Sequence, residues 1–174
     1  MITSFVKLTV IIPIYNEETT CMQLIEKVKS VPIQKQIIVI DDGSTDSSSS
    51  ILKKIEGIML IAHEINQGKG CAIQSAISHI KGDFVVLQDG DLEYSPTDYE
   101  KMLTLLEADR ADVVFGSRWI ENKSYLAYHT MGNRLITWFA NQLLGVTLTD
   151  MASCYKMMPA KTLRSLKIAS AGFG

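Results

Sequence analysis

Asp89, Asp91 and Glu93 stand at alternate positions directly after the apolar run Asp83-Phe84-Val85-Val86-Leu87. If the chain stays extended past Leu87, all three side chains point to one side. Carboxylate oxygens are hard ligands that suit Mg²⁺ or Mn²⁺, and Mg²⁺ is commonly held by one or two carboxylates together with substrate phosphates. The alternative is structural: Asp-Gly-Asp also makes an ordinary turn, with Gly90 at positive φ. Two more polar clusters follow apolar runs, Pro13-Ile14-Tyr15-Asn16-Glu17 and Asp41-Asp42-Gly43-Ser44-Thr45-Asp46. Their placement favours the metal reading, because ligands of an open parallel sheet bind beyond the carboxyl ends of its strands. Neither G-x-G-x-x-G nor G-x-x-x-x-G-K-[ST] follows the first of these runs, so the usual backbone cradle for phosphate is missing. A carboxylate-rich site that holds a phosphate needs a cation between the two.

The elements that must position these residues alternate between short β-branched runs and helical patterns, which predicts parallel strands in a helix-covered sheet. Strands are expected at Leu8 to Ile12, Gln36 to Ile40, Ile58 to Ile61, Asp83 to Leu87 and Asp112 to Phe115. Helices are expected from Glu17 to Lys29, after Ser44 to Ser50 with Asp46 as N-cap, from Lys69 to Ile80, and from Ser95 to Glu107. Past Gly116 the pattern loosens into a long loop from Trp119 to His129, then an apolar helix from Met131 to Leu144. That helix either packs into the core, as most apolar faces do, or lies on a membrane with Trp138 and Phe139.

Length and charge narrow the classes. The 174 residues, 47% of them hydrophobic, fit one domain with an ample core. A net charge of −2 lacks the basic excess of a phosphate-backbone binder, so nucleic acid is not an expected partner. The longest nearly unbroken apolar stretch, Leu8 to Tyr15, falls far short of the roughly 20 residues of a membrane span. Lys7 interrupts the hydrophobic start, which argues against a secretory signal. Cys21, Cys71 and Cys154 are odd in number and widely spaced, as expected of reduced thiols in a cytoplasmic compartment. His63, His79 and His129 show no metal-ligand spacing and read as structural or surface residues.

Pro13-x-Tyr15-Asn16-Glu17, Asp41 to Asp46, Asn66-Gln67-Gly68-Lys69-Gly70, Asp89-Gly90-Asp91, Gly116-Ser117-Arg118 and Asp150 to Lys156 together resemble the inverting family 2 glycosyltransferases. Within that family the polyprenyl-phosphate (dolichyl-phosphate) mannosyl- and glucosyltransferases are most similar. The resemblance implies an α/β GT-A fold: a Rossmann-like, mostly parallel sheet flanked by helices, forming a single catalytic domain over residues 1–174. It further implies that Pro13, Tyr15, Glu17, Ile40 and Asp42 line a pocket for the base and ribose of a nucleotide-diphosphate sugar. Tyr15 can lie against a base, and Asp42 can accept from ring N–H groups or ribose hydroxyls, of uracil or guanine alike. Asp89 and Asp91 match the family's D-x-D with Gly90 between them, and Glu93 stands where relatives often carry Gln. Lys69 lies in the glycine loop. Arg118 and Arg134 are implied near the acceptor phosphate or the donor diphosphate, and Lys156 is a further basic candidate.

The expected reaction moves a hexose from GDP-mannose or UDP-glucose to a polyprenyl phosphate with Mg²⁺ or Mn²⁺. A hydroxyl acceptor would need a general base, for which Asp150 is the candidate; a phosphate acceptor arrives already anionic and needs cations more. A saccharide hydroxyl in polysaccharide synthesis is the competing acceptor, and an inactive nucleotide-sugar-binding scaffold is the non-enzymatic alternative. The latter draws on Ala152, which replaces an acidic residue in the family's D-M-E-T-C-Y-K pattern. Relatives usually continue past Gly174, often into membrane helices, so the chain is expected to be a catalytic core cut short, working at the cytoplasmic face of a membrane.

Overall fold

A computed structural model describes residues 6–117 and 127–168, the stretch 127–131 by its backbone alone. Among the described residues six strands form one sheet: β1 (Leu8–Ile14), β2 (Lys35–Asp42), β3 (Met59–His63), β4 (Phe84–Leu87), β5 (Val114–Phe115) and β6 (Lys156–Pro159). Their order is β3-β2-β1-β4-β6-β5. The pairs β1/β2, β1/β4 and β2/β3 are parallel, and β6 runs antiparallel to both neighbours. Sequence periodicity misses β6, because Lys156-Met157-Met158-Pro159 has no β-branched residue and ends in proline. The expected fifth strand shrinks to two residues at the sheet edge, separated from β4 by β6.

Among the described residues there are six α-helices: α1 (Cys21–Ser30), α2 (Ser48–Leu52), α3 (Lys69–Ile77), α4 (Tyr99–Glu107), α5 (Ala127–Leu144) and α6 (Ala160–Ser165). Strand alternation sorts the core into two layers. Val10, Ile12, Val39 and Val86 pack with Leu24, Ile25 and Val28 of α1 and Met102 and Leu106 of α4. Ile11, Ile38, Ile40 and Val85 pack with Ala72, Ile73 and Ala76 of α3. Full burial of each such aliphatic side chain is worth about 1.5–3 kcal/mol.

Several boundaries depart from the periodicity. The first helix begins at Cys21 rather than Glu17, and the Glu17 and Glu18 amides ahead of it donate to Ser48 Oγ at 2.9 Å and Asp46 Oδ2 at 3.1 Å. Ser47, not Asp46, is the N-cap of α2, yet Asp46 Oδ1 still accepts the Ser48 amide at 2.9 Å. A 3₁₀ turn, Pro96–Asp98, precedes α4. Since α5 starts at Ala127, the expected loop is helical over residues 127–129, and residues 119–126 lie outside the described residues.

Helix α5 is turned opposite to the core-packing expectation. Asn133, Thr137 and Asn141, spaced four apart, bond the segment 148–151: Asn133 to Asp150, Thr137 to the Met151 amide, and Asn141 to both backbone groups of Leu148. A polar stripe docks the helix, and Leu135, Ile136, Trp138, Phe139, Leu143 and Leu144 face outward, 58–73% exposed. Among the described residues no helix is long and apolar enough to cross a membrane.

Candidate functional site

Strand β4 pairs with β1 only as far as Ile11–Leu87, whereas β2 follows β1 to Ile14–Asp41. Ile11 offers its carbonyl to the Gln88 amide on the β4 side, so by alternation position 13 also faces that side. No strand continues there, and a residue without an N–H is tolerated. Pro13 thereby opens a cleft of about 350 Å³ at the carboxyl ends of β1, β2 and β4, lined by Pro13, Tyr15, Glu17, Asp42, Lys69, Asp89, Gly90 and Asp91 among others. The volume lies within the range of small-molecule sites.

The loops after β1 and β2 are laced together. Asn16, at φ 55°, accepts the Thr45 amide on Oδ1 at 2.8 Å, and its own amide donates to Ser44 Oγ at 3.1 Å. Ser47 returns an amide to Glu18 Oε2 at 2.9 Å. These bonds fix Tyr15, 46% exposed at the rim, and Glu17, whose Oε2 accepts the Thr20 hydroxyl at 2.5 Å.

Asp42 is buried and accepts three hydrogen bonds: His63 Nδ1 at 2.7 Å and the Gln67 amide at 3.0 Å on Oδ1, the Gly68 amide at 2.8 Å on Oδ2. It is the clamp of the glycine loop as well as a wall of the cleft. His63 Nε2 also contacts Ser75 Oγ of α3 at 2.9 Å. The structural reading of His63 therefore holds, but its partnership with Asp42 was not visible in the spacing. Gly68, at φ 89°, caps α3 and puts Lys69 on the first helical position, where its ammonium pairs with Asp89. Burial is the largest influence on the Lys69 pKa and pulls it down, but the charge and hydrogen bond of Asp89, with smaller help from Cys154, together turn the net shift upward.

The three-carboxylate arrangement is corrected by the backbone, which bends from Gly90 to Tyr94 instead of staying extended. Asp91 Oδ1 accepts the Glu93 amide at 3.0 Å, and Glu93 is exposed and does not line the cleft. Among the described residues no group of three His, Cys, Asp or Glu side chains is placed to share one ion. The turn forms without positive φ at Gly90, which is absent from the glycines in that region. Glycine is needed there for space: a Cβ would lie 2.7 Å from Ile14 Cδ1 and 3.2 Å from Glu17 Cγ. Burial pushes the Asp91 carboxyl above the usual range, and the Asp89 and Glu17 charges add to it. That surplus of negative charge, on hard oxygens lining a cleft, fits a divalent cation shared between Asp89, Asp91 and a bound phosphate.

The bend is held from beneath by residues to which the sequence assigned no role. Buried Gln88 accepts the Tyr99 hydroxyl at 2.9 Å and donates to the Asp89 carbonyl at 3.2 Å. Tyr155 stacks on Tyr94 with ring centroids 4.9 Å apart and donates to the Ser95 carbonyl at 2.8 Å. Gly116 lies against this ring, where a Cβ would come 2.4 Å from Tyr155 Cδ1.

The remaining expected residues are dispersed. Ile40 is a second correction: it is fully buried on the α3 side of the sheet, packed with the second core layer, and not a cleft residue. Asp150 is 1% exposed and accepts Asn133 Nδ2 at 2.8 Å. Lys156, at the start of β6, donates to the Ser153 carbonyl at 2.6 Å and lies 5.4 Å from the Phe115 ring centroid. Burial lowers its pKa, with smaller influences from Cys154, Lys69, Asp89 and Asp150. Arg134 is exposed on α5, and Arg118 lies outside the described residues.

The sequence profile of Glycosyl transferase family 2 matches residues 9–166. The chain belongs to that family. Dodecaprenyl-phosphate galacturonate synthase of Rhizobium johnstonii is 30% identical over 175 residues, covering 93% of this chain and 50% of that protein. Undecaprenyl-phosphate 4-deoxy-4-formamido-L-arabinose transferase of Edwardsiella ictaluri is 27% identical, covering 91% and 50%. The chain thus spans about half the length of the curated relatives it matches. Among solved structures, glucosyl-3-phosphoglycerate synthase from Mycobacterium tuberculosis, in complex with Mn²⁺, UDP and glucosyl-3-phosphoglycerate, superposes with a TM-score of 0.73. It is 23% identical and covers 97% of this chain and 61% of its own. The fold is the family's GT-A fold, with the cleft at the end of its parallel half.

Proposed function

We propose that this domain transfers a sugar from a nucleotide-diphosphate donor, GDP-mannose or UDP-glucose in type, to a polyprenyl phosphate. The cleft at the ends of β1, β2 and β4, which joins Asp42, Lys69, Asp89 and Asp91 around one space, carries the reading. Tyr15 at the rim and Asp42 on the wall receive the base and ribose. Asp89 and Asp91 hold Mg²⁺ or Mn²⁺, which when bound offsets charge on the departing nucleoside diphosphate, an effect of several kcal/mol. An acceptor oxygen forms the new bond to the sugar C1 as the bond from C1 to the diphosphate breaks, and the electron pair leaves with the diphosphate. Lys156 and Arg134, with Arg118, supply the positive charge that orients an anionic acceptor.

The burial of Asp150 and its bond to Asn133 favour the phosphate acceptor. A buried, anchored carboxylate is poorly placed to take a proton from a hydroxyl, whereas a phosphate monoester has already lost its proton near neutral pH. Two relatives named for dodecaprenyl and undecaprenyl phosphate support the same choice. The outward apolar face of α5, with Trp138 and Phe139, is the surface proposed to meet the lipid.

Incubation with Mn²⁺, undecaprenyl phosphate and labelled UDP-glucose or GDP-mannose should move label into organic solvent. Label recovered only on a soluble glycan would favour the saccharide acceptor. Donor binding without transfer to lipid, glycan or water would leave the scaffold reading.

A further inference from the structure

Lys69 is placed with little freedom. Its backbone is set by Gly68, whose amide is held by Asp42, and its ammonium pairs with Asp89 where both side chains are only 18% and 20% exposed. The position does nothing for the helix, since a cation on the first turn of α3 faces the positive end of the helix dipole. The partner is the carboxylate that, with Asp91, lines the cleft. Two cations cannot share Asp89 without repulsion that shielding from water strengthens.

Resting on the metal reading above, we propose that Lys69 is the resident counter-ion of Asp89 and sets the affinity of the site for a divalent cation. Metal binds as the ammonium gives Asp89 up, and the donor diphosphate offers the displaced ammonium an anionic partner. Lys69 thereby links metal loading to the presence of donor: without diphosphate, the ammonium holds the site against the ion. Asp91, which feels Lys69 less than it feels Asp89 and Glu17, is the ligand that draws the ion in.

Titration of the chain with Mn²⁺ alone, read by the electron paramagnetic resonance of free Mn²⁺, tests this without any turnover. Lys69→Gln should tighten Mn²⁺ binding roughly tenfold, a modest part of the repulsion between neighbouring charges at a half-shielded site. Lys69→Arg, which keeps the charge, should bind like the parent chain. Lys69→Met gives the same test where Gln disturbs the helix start, with circular dichroism to check folding. Equal or weaker Mn²⁺ binding in the neutral variants overturns the inference while leaving the metal reading intact. No Mn²⁺ uptake by the parent or by any Lys69 variant overturns the metal reading itself, and the inference with it.

Discussion

The Gly68 amide donates to Oδ2 of Asp42 at 2.8 Å, so the glycine loop hangs from the end of β2. The nucleoside side of the cleft and the base of Lys69 are consequently one mechanical unit. Asp42→Ala should free that loop and orphan two amides and the His63 ring, costing about 3 kcal/mol. Urea unfolding measures the loss, and UDP binding by calorimetry should weaken in step. Unchanged affinity for UDP in a folded variant would remove Asp42 from the donor site.

Asp91 carries a charge that burial opposes. Its folded pKa is raised, so it favours folding when protonated, below its ordinary 3.8, and that contribution is lost as pH rises through the folded value. In metal-free buffer at pH 7, Asp91→Asn should therefore melt higher than the parent chain, and the gap should close as pH falls toward 4. With UDP present, added Mn²⁺ should stabilise the parent further but not the variant. A constant gap across pH would mean that the shift arises elsewhere.

Gly90 is required by Ile14 and Glu17 rather than by φ. Gly90→Ala should force Ile14 off its rotamer and shift Asp89 and Asp91, at a cost of about 1–3 kcal/mol. The double variant with Ile14→Val should recover part of that stability, because it removes the methyl the new Cβ meets. Non-additivity in this double-mutant cycle is the measurement.

Asn133→Leu removes the amide that meets the buried Asp150 carboxylate, and about 1–3 kcal/mol of stability should go with it. Under the phosphate-acceptor reading, the pH profile of transfer should keep its shape while the melting temperature drops. A profile that moves with the substitution would restore Asp150 as a proton acceptor.

Much of this architecture was readable because parallel strands buried on both faces are continuous apolar runs, as in Ile37 to Ile40, and because their polar ends cluster at one edge. The alternating carboxylates pointed to Asp89 and Asp91, and the family resemblance to Asp42 and Lys69; all four line one cleft. Three things stayed hidden. The Glu17 and Glu18 amides are captured by side chains of another loop, and no window of sequence contains both partners. The bend after Asp89 depends on Tyr155, sixty-odd residues away, so periodicity could not show that Glu93 leaves the cleft. The orientation of α5 stayed open in the sequence because its apolar residues outnumber the polar stripe that docks.

The antiparallel pairing of β4 with β6 carries a consequence for the order in which the molecule is made. Phe84 meets Pro159 and Leu87 meets Lys156, whereas β1, β2, β3 and β4 complete their mutual pairing by residue 87. On the ribosome, the nucleoside wall and both aspartates can assemble while β4 still presents a bare edge, since loop closure to a distant strand is the slow, entropically costly step. Such an edge invites pairing with another nascent chain until Lys156 to Pro159 arrives to seal it. Lys156 and the protection of the sheet edge are delivered by the same four residues, long after β4 has been made.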